Sequence, residues 1–187
     1  EVVLAADAFD NPNSLNEIVC TMEGTVDIVG NEIDLEYDAW SGIFYGVFGE
    51  AQNGESEVSI AVDGSIEGNN IDSAANLVEN GILCANWVYA NNDNASASST
   101  GSILIAENEI SMRGFEGIMV DRGQQATDDN ATTFVSGDIA ITGNNVSEQD
   151  RFLDYAIEVQ LTTMALDGNN SAEAQGALTV VDNIVNN

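Results

Sequence analysis

Thr25-Val26-Asp27-Ile28-Val29-Gly30-Asn31-Glu32-Ile33 decides the fold of this chain, because the phrase keeps coming back. It returns as Ser102-Ile103-Leu104-Ile105-Ala106-Glu107-Asn108-Glu109-Ile110 and as Asp138-Ile139-Ala140-Ile141-Thr142-Gly143-Asn144-Asn145-Val146. A further copy is Ala177-Leu178-Thr179-Val180-Val181-Asp182-Asn183-Ile184-Val185, and a weaker one is Ser65-Ile66-Glu67-Gly68-Asn69-Asn70-Ile71. The shared Asn stands at 31, 69, 108, 144 and 183, in steps of 38, 39, 36 and 39. A second phrase interleaves with the first: Gly42-Ile43-Phe44-Tyr45, Gly81-Ile82-Leu83-Cys84, Gly117-Ile118-Met119-Val120 and Ala156-Ile157-Glu158-Val159. Its steps are 39, 36 and 39. Two phrases keeping one period define a repeat protein.

Within each phrase the aliphatic residues alternate, which is the strand period. Val26, Ile28 and Ile33 are expected inside, Asp27 and Asp34 outside. Short helical turns have room at 72–80 and 147–155. One coil cannot bury its own apolar face, so successive coils must stack about 4.8 Å apart, like residue on like. Ile43, Ile82, Ile118 and Ile157 should form one interior ladder, and Ile28, Ile66, Ile105, Ile141 and Val180 another. Asn31, Asn69, Asn108, Asn144 and Asn183 should form a turn ladder, each amide bonding to the next coil. Asn is also expected to take the left-handed backbone of that bend.

The predicted fold class is therefore all-β, a right-handed parallel β-helix of about five coils with 36–39 residues each. Residues 1–187 read as one domain, with 1–23 an irregular half-coil and 24–187 the repeats. The competing arrangement is a β-sandwich or barrel with an internal duplication near 75 residues, which is two of the smaller periods. Alternating aliphatics followed by Asn-x-Ile and then Gly-Ile resemble the coils of the pectin-lyase-like superfamily. That fold hosts lyases, hydrolases, epimerases, phage fibres and adhesins, so the resemblance implies architecture and leaves function open. Lyase and hydrolase members carry clustered Asp with Lys, Arg or His on one strand face, and this chain has no Lys and no His.

Charge narrows the partners. The chain has 32 acidic residues against three Arg, a net charge of −29. Such a surface repels nucleic acid and anionic membranes, which need basic residues to neutralise phosphate. It attracts cations, and the composition suggests a secreted or cell-surface protein. Nucleophilic triads and transition-metal sites lose their usual His. Cys20 and Cys84 give no disulfide framework. Cys84 is expected in the core, too many coils from Cys20 to bridge to it.

Three sets of residues are candidates for function. Asp121, Asp128 and Asp129 fall in what looks like the longest insertion, 121–136, and hard oxygen ligands of this kind suit Ca²⁺. A solvated loop with an ordinary Asp121–Arg122 pair is the competing reading. Trp40, Phe44, Phe48, Trp87 and Tyr89 lie on or beside neighbouring coils, where aromatic rings can stack on sugars or simply pack. Finally, Val2, Val3 and Leu4 lie about 40 residues before Ile43–Tyr45. They could continue the coil left open by Val180 to Val185, generating a head-to-tail filament. The leading expectation is thus a secreted structural β-helix that partners itself in an extracellular or surface filament, with enzymatic activity left open. The alternatives are a carbohydrate-binding or carbohydrate-active β-helix and a segment of a larger adhesin or fibre.

Overall fold

Strict alternation of aliphatic and small polar residues leaves this chain little choice but strands. The computed structural model describes residues 2–9, 19–52, 54–73, 77–92, 94–128 and 130–186, and among these it contains strands and turns without a helix. The strands run in chain order as β1 (Val2–Phe9), β2 (Val19–Val29), β3 (Glu32–Leu35) and β4 (Ala39–Gln52). They continue as β5 (Glu57–Glu67), β6 (Asn70–Ser73), β7 (Val78–Asn91), β8 (Ser96–Thr100), β9 (Ile103–Ala106) and β10 (Glu109–Thr127). The last six are β11 (Thr132–Ser136), β12 (Ile139–Thr142), β13 (Asn145–Leu166), β14 (Ser171–Gln175), β15 (Leu178–Val181) and β16 (Ile184–Asn186).

Among the described residues every strand pairing is parallel and joins one coil to the next, giving a β-solenoid of about four turns rather than five. One sheet (sheet A) stacks β1, β4, β7, β10, β13 and β16. The other (sheet B) stacks β2 on β5, then β8, β11 and β14 beside β9, β12 and β15. The expected ladders form in register: Ile43 pairs with Ile82, Ile82 with Ile118 and Ile118 with Ile157. Ile28, Ile66, Ile105, Ile141 and Val180 do the same across sheet B. Regular pairing reaches back past residue 24, since β2 begins at Val19 opposite Glu57.

The single 36-residue step has a local cause. Met112 pairs with Glu148 but Gly114 with Leu153, so the third coil is three residues shorter at that corner. Glu109–Thr127 therefore runs on as one strand where the earlier coils break between β3 and β4 and between β6 and β7. The 147–155 stretch expected to hold a helical turn lies inside β13, and 78–80 inside β7.

The Asn corner is held by a repeated set of hydrogen bonds. The backbone N–H and Nδ2 of Asn69 both donate to Asn108 Oδ1, at 3.0 and 2.9 Å. Asn108 donates likewise to Asn144 Oδ1, and Asn144 to Asn183 Oδ1. The second Nδ2 hydrogen reaches back one coil, from Asn108 to Ile66 O and from Asn144 to Ile105 O. Asn108 and Asn144 are fully buried. The left-handed residue is the one before each Asn, not the Asn itself: Gly30, Gly68, Glu107, Gly143 and Asp182 have φ of 66°, 62°, 55°, 66° and 56°. The reversal has to precede the Asn so that its N–H points along the stack.

The weak copy at Ser65 also has a packing cause. Where the other coils place Val26, Ile103, Ile139 and Leu178, the second has Gly64. A Cβ there would lie 2.8 Å from the ring of Tyr45, which is fully buried inside the first coil. One large residue has replaced two medium ones. Burial pushes the Tyr45 hydroxyl up to about 12.

Candidate functional site

The outer face of sheet A departs from repetition. Along β4, β7 and β10 the core-facing side carries the Ile43, Ile82 and Ile118 ladder, whereas the residues facing out change from coil to coil. One row reads Phe44, Leu83, Met119; the next Gly46, Ala85, Asp121; the next Phe48, Trp87, Gly123. Beyond them lies Tyr89, and at the other end Trp40, Glu79 and Phe115.

The small residues of the middle row leave a trough, and the aromatic side chains close over it. A Cβ on Gly46 would lie 2.6 Å from the Phe48 ring and 3.0 Å from that of Phe44. A Cβ on Gly123 would lie 2.5 Å from the Trp87 ring, so the indole rests against the backbone of the neighbouring coil. Trp87 Nε1 donates to Asp121 Oδ2 at 2.9 Å. Tyr89 lies beside it with ring centroids 5.7 Å apart and planes 15° from parallel. Trp40 packs on Phe44 at 4.9 Å. Phe44, Leu83 and Ala85 are buried despite facing outward, because Phe48 and Met119 cover them. The result is an open concavity of about 670 Å³. From Trp40 to Phe48 it spans about 26 Å along the strand.

Five aromatic residues singled out from the sequence thus share one outward face, joined by Phe115. Polar groups converge there too. Glu79, Asn80, Glu116 and Asp121 line the same concavity, and no basic residue is among its lining side chains. The Glu116 carboxyl is held above the usual carboxylate range, first by burial and then by Glu158, Asp154 and Glu79. Asn80 is almost wholly buried, donates from Nδ2 to Trp40 O at 3.4 Å, and its Oδ1 has no hydrogen-bond partner.

The acidic trio does not come together. Asp121 sits midway along the outer face of β10, and Asp128 is exposed in the turn after it with φ 68°. Six strand residues lie between them, a separation of about 23 Å along the strand. Asp129 lies outside the described residues. Among the described residues no cluster of three or more His, Cys, Asp or Glu is placed to hold a metal. The expected insertion at 121–136 is instead the end of β10, a tight turn and β11.

Alternation also separates Asp121 from Arg122. Arg122 points into the core, where its guanidinium donates to Gly137 O at 2.6 Å and Gly101 O at 2.7 Å. It holds two corner carbonyls, and the sequence signal for this was its spacing, two residues from inward-facing Val120 and one from outward-facing Asp121. Cys84 is fully buried between Tyr45 and Val120, and Cys20 lies on sheet B opposite Val58, so both thiols are free. Burial pushes the Cys84 thiol up to about 12.

Among the described residues, those expected to assemble lie at the two ends of the stack. Val3 is 46% exposed, Val180 45% and Val185 50%, while Leu4 packs partly on the core. Val2 pairs with Tyr45, so the first strand sits beside β4 as expected but at a spacing of 43 residues rather than 40. No protein-family model, curated protein or solved structure matches the chain.

Proposed function

We propose that this chain is an extracellular glycan-binding β-solenoid whose binding surface is the aromatic trough on the outside of sheet A. The observation that carries this is Trp87. Its ring rests on Gly123, its Nε1 is fixed by Asp121, and it lies nearly parallel to Tyr89. A pyranose ring has an apolar face of C–H groups and a rim of hydroxyls. It suits rings that offer an apolar surface beside carboxylate and amide oxygens. Mounting those rings on stacked strands holds them in place before the ligand arrives, which lowers the ordering cost of binding. The resemblance of the coils to the pectin-lyase-like superfamily agrees with an elongated polymer ligand, and the charge of −29 argues against anionic polyuronates. Titration of oligosaccharides followed by tryptophan fluorescence tests the reading. The expected result is a saturable change that Trp87→Ala reduces by about tenfold or more in affinity; an unchanged titration in that variant would overturn it.

A second reading, the structural one, is favoured by the direction of the Asn ladder. Each rung donates from one coil's Asn N–H and Nδ2 to the Oδ1 of the following coil. Among the described residues this leaves Asn31 Oδ1 as an acceptor and Asn183 N–H as a donor at the two ends of the ladder. One more rung would join them, with Val180 continuing onto Ile28 and Val185 onto Ile33. We propose that a second copy supplies it, giving head-to-tail filaments. Mutual repulsion of the acidic subunits opposes the contact, so salt or Ca²⁺ should promote it. Sedimentation velocity across a salt series should show growing species, and a monomer throughout would remove this reading.

A further inference from the structure

We propose that the glycan taken by this trough carries free amino groups, that is, an amino-sugar oligomer in its cationic form. This rests on the glycan reading and sharpens it to a substrate class.

The polar side of the trough is acidic. Glu79 on β7 and Glu116 on β10 line it, with Asp154 and Glu158 on β13 beyond. Asn80 pairs with Glu116, and Glu116 with Tyr155, so Glu79, Glu116 and Asp154 lie on three successive strands spaced about 4.8 Å apart, offset by one residue along them. Asp121 adds another beneath Trp87. A neutral glycan would leave this repulsion in place, and a sulfated or uronic one would add to it. An ammonium group near Glu116 relieves it, and is drawn as well to the face of Trp40 at the same end by the ring quadrupole. The unpartnered, almost fully buried Oδ1 of Asn80 is an acceptor at the same end of the trough. It makes the site more than a patch of negative charge. The Glu116 carboxyl is raised first by burial and then by the same neighbours, Glu158 and Asp154 on β13 and Glu79 on β7. The arrangement assigns two jobs: the rings take the apolar face of the sugar, and the acidic end takes its amine.

The test is calorimetric titration of the intact chain just below neutral pH, where sugar amines are protonated, at low and high salt. Three probes of one backbone geometry are compared: a β-1,4-linked glucosamine tetramer, its N-acetylated counterpart and the corresponding glucose tetramer. The amine probe should bind at least about tenfold tighter than the other two. Glu116→Gln should close that gap while leaving the weaker probes unaffected, and Trp87→Ala should abolish binding of all three. Equal affinity for the three probes overturns the amine inference and leaves the glycan reading standing. Amine binding that survives Trp87→Ala is adsorption to the acidic surface and overturns the inference. Absence of any binding overturns both.

Discussion

The Asn corner and the outer face of sheet A are built from the same strands and obey opposite rules. At the corner one residue type recurs in every coil, since Asn69, Asn108 and Asn144 are each at once donor and acceptor to the Asn of neighbouring coils. On the outer face the residue changes at every coil, from Phe48 to Trp87 to Gly123 in a single row. In a solenoid, repetition marks what holds the stack together, and departures from repetition mark where something other than the next coil has been accommodated. Tyr45 over Gly64 is an inward departure answered by packing. The aromatic trough is an outward departure that no described residue of the chain answers.

The largest break of that contrast should come from adding one methyl group at a corner. A Cβ on Gly101 would fall 2.0 Å from Val62 O, and the obstacle is backbone already bound into the stack. Gly101→Ala should therefore cost more than about 3 kcal/mol, the range reserved for buried overlaps, and urea denaturation monitored by circular dichroism measures it. Asn108→Ala should cost about 1–3 kcal/mol through lost amide bonds and unpaired neighbours on both sides. A loss below that range would mean the ladder bonds are replaceable by water.

Much of the corner is legible in the amino-acid sequence. The Asn spacing and the Gly-Ile spacing name the ladders, and both hold in register. What the sequence hides is which residue turns. Gly30, Gly68 and Gly143 share the left-handed position with Glu107 and Asp182, and a position occupied by three residue types does not stand out as a motif. It supplies a third, smaller prediction. Glu107→Gly should stabilise the chain by up to about 1 kcal/mol, because the glycine relieves a conformation that costs an L residue about that much. The check is the midpoint of the same denaturation curve, with Gly143→Ala as the reciprocal change and a shift of opposite sign.

The outer face is only half legible. Trp40, Phe44, Phe48, Trp87 and Tyr89 can be named from the sequence, yet whether they point in or out depends on parity within strands whose ends the sequence does not mark. Arg122 is misplaced for the same reason: reading 121–136 as an insertion removes the alternation that turns Arg122 inward and leaves Asp121 out. Period-two reasoning is powerful inside a strand and silent about how far the strand runs, and here β10 continues to Thr127.

Gly123→Ala should have the smallest effect on stability and the largest on the trough. Its Cβ would meet the Trp87 ring at 2.5 Å, but unlike the carbonyl facing Gly101 that ring is a side chain on the outside of the sheet and can swing away. The backbone pairing of Gly123 with Trp87 is untouched. The expected loss is therefore under about 1 kcal/mol, within the range of substitutions away from the core. The indole, however, leaves its seat, lengthens or loses the Nε1 bond to Asp121 and tilts away from Tyr89. Tryptophan emission should shift, and oligosaccharide affinity should fall as it does for Trp87→Ala. A variant that unfolds as early as Gly101→Ala would show that the outer face bears the stack as the corner does. A variant of wild-type stability with unchanged fluorescence and unchanged glycan binding would show that the seat of Trp87 on Gly123 has no part in recognition.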